Sequence, residues 1–406
     1  MEICTSTEAR VTSRKAFIVG GGVMGLMAAI ELARLSRLLG TRLEIFVFEA
    51  GAFGGGPGDR TAARRCQLWI HTEGTIYAST QPAVSLALQC STRHLRRLVP
   101  YAFRFPLALA IETAGMPKHT GDCFRVLGIT HEPVPGVLVH DWFPALNFPA
   151  GAHVFRVRDG TIDLRLLGHG LTAHARRVGI RLVRQGIRRF DLHAGQVCAL
   201  HAERGGKVKV SPHDVVVLAC GAQMRPLLTN AGIRLPGLRL FRSHLVASDA
   251  FGIPALLAFL QGGVNCVPHD MADGLVNIFG NSARTELPPE SDREPVQSDA
   301  TAIAKLCAEV EANFGLRIPS NRLAWPAVKT EIVLEGVRSQ AHHARLITGI
   351  SNLWMAIPGK LSQTAACAMD LAAKILREGL GTNIARPIWE SQPVEESTPL
   401  TITGAA

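Results

Sequence analysis

The sequence predicts an α/β protein in which one domain is a parallel sheet flanked by helices and the other is an antiparallel-sheet α+β domain. Three observations carry this. Residues 15–49 run from an apolar strand-like segment through a glycine turn and a small-residue helix into a second apolar segment. Two later runs, VVVLA ending at Ala219 and a strand from about Arg345, have the continuous apolar character of strands buried on both faces. Between these returns, segments such as LRLFRSHLVASD alternate apolar and polar residues, the period of antiparallel sheet. With 406 residues the chain exceeds one typical domain, so two packed domains sharing a large core are expected.

Gly20, Gly22 and Gly25 have the G-x-G-x-x-G spacing directly after a strand and at the opening of a helix. Gly20 allows the tight turn, Gly22 lets a pyrophosphate approach the backbone, and Gly25 lets the helix pack close to the strand. Ala28, Ala29 and Ala33 keep that helix slim. The second apolar run, Leu43–Phe48, ends at Glu49, at about the 20-residue distance expected of an acid that binds a ribose hydroxyl. The first domain is therefore Rossmann-like and binds a dinucleotide; the fingerprint alone does not choose between FAD and NAD.

Further along, GAFGGGPGDRTAARR excludes regular structure and reads as a loop near the cofactor. Leu68 and Ile70 suggest a short strand delivering His71 and Glu73 to a turn at Gly74, and Pro82–Leu98 has helical apolar spacing with Arg93, Arg96 and Arg97 exposed. Residues 100–152 carry no helical period and read as strands and loops. A turn at Asp159 and Gly160 precedes a helix and a strand at Ile180. Asp273 and Gly274 mark a hairpin. Helices are expected over Thr301–Phe314 and Ala365–Leu376, the latter after the turn IPGKLSQT. These segments divide the chain into a discontinuous nucleotide-binding domain (15–80, 153–236 and 340–380), a second domain (81–152 and 237–339), and flexible termini (1–14 and 387–406).

The formal charge of +10 sets a field that draws anions, whether a small substrate, nucleic acid or an anionic membrane surface. No long unbroken Lys/Arg run is present, so a small anion is favoured over nucleic acid. Nine scattered cysteines, without C-x-x-C pairs or a signal-peptide pattern, fit reduced thiols in the cytoplasm. Apolar runs are too short to span a bilayer. No metal site is assigned.

In segment order nearly the whole chain resembles the D-amino-acid oxidase family of FAD enzymes, and especially its glycerol-3-phosphate dehydrogenase branch. WIHTEGTIYA resembles the branch's I-H-G-G-L-R-Y segment, and RSHLV its G-S-H-I-V segment. VVVLACGA is similar to the family's second flavin turn, PHDMADGLVNIFGNS to its hairpin, and GVRSQ to its G-x-R-P substrate-arginine motif. Thr72 and Glu73 depart from the glycines after the histidine, Ser339 replaces Pro, Asn281 and Ser282 replace threonines, and Lys360 stands in a usually more Gly-rich turn.

The resemblance implies FAD held without a covalent link, through Gly20, Gly22, Gly25, Glu49, Ala50, Gly221, Gly359, Lys360, Leu361 and Ser362. It places His71 by the flavin and His244 near the substrate, either being the base that takes a proton as hydride leaves. Arg338 is the candidate anion clamp, since a guanidinium grips carboxylate or phosphate through two parallel hydrogen bonds. Lys360 is a candidate for stabilising negative charge on the reduced ring, and Glu73 for orienting His71 or excluding anions. The expected activity is removal of hydride from a carbon bearing a hydroxyl or amino group of a small, anionic substrate, with oxygen, a quinone or a protein as acceptor. Two alternatives stay open: a flavin-dependent tailoring enzyme or monooxygenase acting on a larger or nitrogen-containing substrate, and an FAD-binding subunit or nucleic-acid-associated flavoprotein.

Overall fold

The run RKAFIV forms a strand, Arg14–Val19, whose last four side chains are apolar on both faces because both faces are covered. Ala16 and Ile18 point into one core and Phe17 and Val19 into the other, the alternation that a strand's two-residue period imposes. The structure, a computed structural model, describes residues 14–55, 66–113, 120–144, 146, 151–260, 262–271, 274–289, 297–320 and 322–380. Within these, Arg14–Val19 lies near the middle of a six-stranded sheet ordered His343–Leu346, Leu353–Ile357, Val215–Leu218, Arg14–Val19, Leu43–Phe48, Arg181–Val183. All neighbours are parallel except the first pair.

Eight α-helices occur among the described residues: α1 Val23–Leu38, α2 Pro82–Leu98, α3 Thr120–Val126, α4 Gly136–Trp142, α5 Leu164–Arg177, α6 Met224–Asn230, α7 Ala300–Phe314 and α8 Thr364–Leu380. Small residues let α1 and α8 come close: Gly25, Ala28 and Ala29 on one meet a core that includes Ala365, Ala368 and Ala372 on the other. With α5 they cover one face of the six-stranded sheet. A three-stranded antiparallel sheet (Ile187–His193, Gln196–Ala202, Lys207–Lys209) and α6 cover the other.

The second sheet has ten strands and is antiparallel apart from the pairing of Leu107–Glu112 with Ala255–Phe259. Its long strands Leu238–Ser248 and Leu323–Leu334 lie side by side. One face packs on α7, with Val246, Phe279, Val310 and Phe314 in the shared core. The opposite face receives residues 68–78: Trp69 and Ala78 pack on Ala108, Ala110, Leu256 and Val267, and Leu68 on Leu245, Ile278 and Trp325. The Gln67 amide fixes this approach by donating to the carbonyls of Asn265 (2.8 Å) and Ile278 (3.1 Å).

The α/β class, a parallel unit joined to a largely antiparallel one, is as the sequence predicts, and the helices at 82–98, 164–177, 300–314 and 364–380 fall where periodicity placed them. Other segments differ. Residues 68–70 are not a strand; a single bridge pairs Trp69 with Thr161, and Leu68 and His71 have positive φ. Residues 100–152 contain α3 and α4, each only two turns and too short to show a period. His153–Val157, expected with the nucleotide-binding part, pairs with Leu107–Glu112 and His131–Val134 in the larger sheet. Conversely α2, expected in the second domain, sends Leu95 into the core shared by α1, α5 and α8. Arg14, expected in a flexible terminus, opens the first strand. The rest of both termini, the loop 56–65 and Asp273 of the hairpin lie outside the described residues.

The tightest contact in the parallel unit is at Gly25, where a Cβ would fall 1.7 Å from the carbonyl oxygen of Gly20. Gly25→Ala will therefore force the helix off the strand and destabilise the fold by about 1–3 kcal/mol, the usual cost of overpacking, measured by chemical denaturation against Gly136→Ala, where a Cβ meets nothing within 4 Å and the backbone is not left-handed.

Candidate cofactor and substrate site

Because four neighbouring strands of the six-stranded sheet run parallel, their C-terminal ends share one edge. Each continues into a turn carrying sequence-predicted residues: Gly20 and Gly22 after Val19, Glu49 and Ala50 after Phe48, Gly221 after Leu218, and Gly359, Lys360, Leu361 and Ser362 after Ile357. Edges of this kind, at strand C-termini, are where open α/β sheets bind ligands. Gly20 has φ +107°, and a Cβ there would lie 2.6 Å from the Ala219 carbonyl oxygen. Gly22 caps α1 in an extended conformation without any side-chain cap, which leaves the helix's first N–H groups to a ligand. Glu49 is held in place by Gly21 N–H on Oε2 (2.7 Å) and Gly51 N–H on Oε1 (2.9 Å). Gly21 is a contributor that the motif spacing passes over: a Cβ on it would be 2.7 Å from Glu49 Cβ.

The C-terminal turn lies close to the His71 segment. Lys360 Nζ sits 5.2 Å from the centre of the Tyr77 ring, Tyr77 lies 6.4 Å from the His71 ring, and His71 is tilted against Trp69 at 3.9 Å. Tyr77 Oη donates to Gln340 Oε1 at 3.3 Å. Several buried polar atoms here have no hydrogen-bond partner among the described residues: His71 Nδ1, Ser362 Oγ, and both Nε2 and Oε1 of Gln363. Buried groups of this kind are costly unless satisfied. Their clustering at the turn, with the glycine cradle and the free N-terminus of α1, fits a ring system with alternating donors and acceptors joined to a dinucleotide.

His71 is buried with φ +47°, a left-handed conformation that costs a non-glycine residue about 1–2 kcal/mol. Burial holds its imidazole well below the usual value, and Lys360 and Lys329 push it further in the same direction, so it is neutral at physiological pH. Lys329 lies on the strand Leu323–Leu334, in register with Phe241 and on the same strand face as Trp325, which packs against Leu68. Its own ammonium is pushed down to about 7, first by burial and then by Arg284 and Lys360, with Glu331 opposing. Arg284 is ion-paired with the buried Glu331.

His244 is not part of this group. It alternates with Ser243 and Leu245, so it faces α7 across the sheet, where its Nε2 accepts the backbone N–H of Asp299 at 3.0 Å. Asp299 in turn caps α7 through Thr301 and Ala302 N–H. Placement near the substrate, expected from RSHLV, is thus replaced by a role in seating α7. Arg338 lies in the two-residue strand Val337–Arg338, paired with Val333 and Leu334 at the edge of the larger sheet; its side chain lies outside the described residues.

Glu73 turns away from His71, accepting the backbone N–H of Thr130 at 3.0 Å. Burial and the nearby Asp159 push it up to about 7. Asp159 itself, fully buried, is pushed up to about 6 by desolvation, against hydrogen bonds from the backbone N–H groups of Thr72 and Gly160. Sequence reasoning missed Lys329, Tyr77, Trp69 and Asp159 as members of this neighbourhood. A lysine interrupting the alternation AVKTEIVL was the one available signal for Lys329.

The family model described as FAD dependent oxidoreductase matches residues 15–374. No curated protein matches the chain in sequence. Among solved structures, the L-amino acid deaminase from Proteus vulgaris superposes with a TM-score of 0.65 at 14% identity, covering 91% of this chain and 94% of its own. The glycine oxidase from Geobacillus kaustophilus gives 0.65 at 15% identity, covering 92% and 97%. The glycerol-3-phosphate dehydrogenase from Bacillus halodurans, a complex with FAD, gives 0.64 at 14% identity, covering 93% and 67%. At these identities the likeness is one of fold.

Removing either lysine cation will raise the pKa of His71, because the charged imidazole then meets less repulsion, while desolvation keeps it below the usual value of about 6.5. Imidazole NMR titration of Lys360→Met and Lys329→Met measures both shifts; an unchanged His71 in both would mean that the lysines do not face it.

Proposed function

The chain belongs to the FAD dependent oxidoreductase family, and from that premise we propose that it removes hydride from a carbon bearing an amino or hydroxyl group of a small anionic substrate. The observation that carries this reading is a buried, neutral His71 beside Lys360 and Lys329, the second of which is only partly charged at neutral pH. FAD, when bound, supplies the acceptor for the hydride. The polypeptide has the remaining tasks: holding the substrate, managing its charge and taking up one proton.

A neutral imidazole accepts a proton where an imidazolium cannot. In this reading His71 takes the proton of the substrate's N–H or O–H as the hydride leaves the adjacent carbon. Lys329 and Lys360 then hold the carboxylate or phosphate of the substrate and offset negative charge that develops on the cofactor side. Trp69 and Tyr77 supply apolar walls that exclude water and strengthen these electrostatic interactions. Arg338 remains a candidate second clamp. Non-covalent attachment of FAD is supported by the glycine cradle and by cysteine thiols that burial raises, such as Cys220 at about 12, rather than activates.

The likeness of WIHTEGTIYA to the glycerol-3-phosphate dehydrogenase branch supports a hydroxyl-bearing substrate. The amino-acid enzymes among the similar structures support an amine. Both readings set an anionic group beside the same cations, with oxygen, a quinone or a protein as the final acceptor. Eight free cysteines among the described residues suit a reducing compartment such as the cytoplasm, and no described helix is long and apolar enough to cross a membrane.

Anaerobic bleaching of the FAD-loaded protein by a panel of amino acids, N-methyl amino acids, 2-hydroxy acids and glycerol 3-phosphate tests the proposal. Bleaching by at least one member, slowed at least tenfold in His71→Ala, is expected; reduction by NAD(P)H alone would sink it. The pH dependence is also specified. Lys329 has a lowered pKa of about 7, so its charge is present below that pH and lost above it. KM for an anionic substrate will therefore rise severalfold between pH 7 and pH 9, and this dependence will flatten in Lys329→Met.

A further inference from the structure

The residue that follows His71 is held at both its N–H and its carbonyl. Asp159 Oδ1 accepts the backbone N–H of Thr72 at 2.6 Å and that of Gly160 at 3.0 Å. Thr92 Oγ1, on α2, lies 2.8 Å from the Thr72 carbonyl oxygen and 2.9 Å from that of Leu88, and its proton is shared between them. Asp159 and Thr92 are both buried, at 1% exposure each, so neither bond competes with bulk water. The segment is tied to the same partner on its N-terminal side, where Ile70 N–H donates to the Gly160 carbonyl and Ile162 N–H to that of Leu68.

This lacing has a task that ordinary packing does not explain. Leu68 and His71 both have φ in the left-handed region, +62° and +47°, and neither is a glycine. A strained turn persists only when its surroundings over-determine it. Resting on the reading of His71 as the proton acceptor, we propose that Asp159 and Thr92 are positioning residues, which clamp Thr72 at its N–H and carbonyl and so hold the left-handed His71 backbone, and with it the imidazole, in place beside the turn at 359–362. Charge is secondary in this role. What the clamp requires is an acceptor at 159 and a donor at 92.

Four variants and two readouts test the clamp. Asp159→Ala and Thr92→Val remove acceptor and donor; Asp159→Asn and Thr92→Ser retain them. Amide hydrogen exchange is followed in the FAD-free and FAD-loaded protein over residues 68–74, with α7 as a remote reference, and the rate of anaerobic flavin reduction is compared with KM. Expected are exchange at least tenfold faster over 68–74 in Asp159→Ala and Thr92→Val with α7 unchanged, reduction slowed at least tenfold with KM within about threefold of wild type, and near-wild-type values for Asp159→Asn and Thr92→Ser. Wild-type exchange over 68–74 in both clamp-removing variants overturns the inference. So does faster exchange throughout, α7 included, which reports general destabilisation. If His71→Ala reduces its flavin at the wild-type rate, the reading of His71 as proton acceptor fails, while the exchange data still decide whether the clamp exists.

Discussion

Two adjacent residues of α2 tie the parallel unit to the segment that faces the larger sheet. Ser91 Oγ accepts the N–H groups of Ala365 (3.0 Å) and Ala366 (3.2 Å), so it caps the start of α8 from another helix. Thr92 reaches the carbonyl of Thr72 from the next position along the same helix. The last of the turns at this sheet edge, Gly359–Ser362, leads directly into α8, and Thr72 follows His71. A single turn of α2 therefore fixes the separation between the C-terminal turn and the histidine. A buried N–H left unsatisfied at the α8 end, or a carbonyl at the Thr72 end, would cost about 1–3 kcal/mol, which makes the two hydroxyls a geometric constraint as much as a source of stability.

Much of this architecture is legible in the sequence because it follows from local physics. The glycine fingerprint reads correctly since Gly20 needs a positive φ and Gly25 a missing Cβ, and both needs arise within a few residues of chain. The helices at 82–98 and 300–314 read correctly because each presents one continuous apolar stripe to the interior. What fails is non-local. Residues 68–70 look like a strand by alternation, yet their partners are the Asp159–Ile162 turn and the Gln67 anchor on strands some 200 residues away. His153–Val157 pairs with the larger sheet through contacts that no local pattern specifies.

The site divides along the same line. The turn residues Gly20, Gly22, Glu49, Gly221 and Gly359 converge because parallel strands must end at one edge, so finding the strands locates them. His71 and His244 look equally plausible in sequence, but strand parity separates them: a residue shifted by one position along Leu238–Ser248 changes face, and His244 falls on the side of α7. Lys329 falls on the side of Trp325 by the same rule. Its importance comes from burial among other cations, a property of the folded surroundings that composition does not carry.

The His71 turn also separates charge. In front of it stand Lys360 and Lys329, which act on the imidazole; behind it stand Asp159 and Glu73, the first of which pushes up the carboxyl of the second. Glu73 would have had the opposite effect if it lay beside His71, raising the imidazole pKa and repelling an anion. By bonding to Thr130 it is directed toward the region of a cleft of about 550 Å³ lined by Thr130, His131, Arg156, Arg158 and Asp159. The departure from glycine at positions 72 and 73 is thereby reconciled with the proposed binding of an anionic substrate. The side chain at 73 adds its carboxylate to the rear of the turn, while the backbone at 72 supplies the N–H that Asp159 needs, and the front of the turn is left to the two cations.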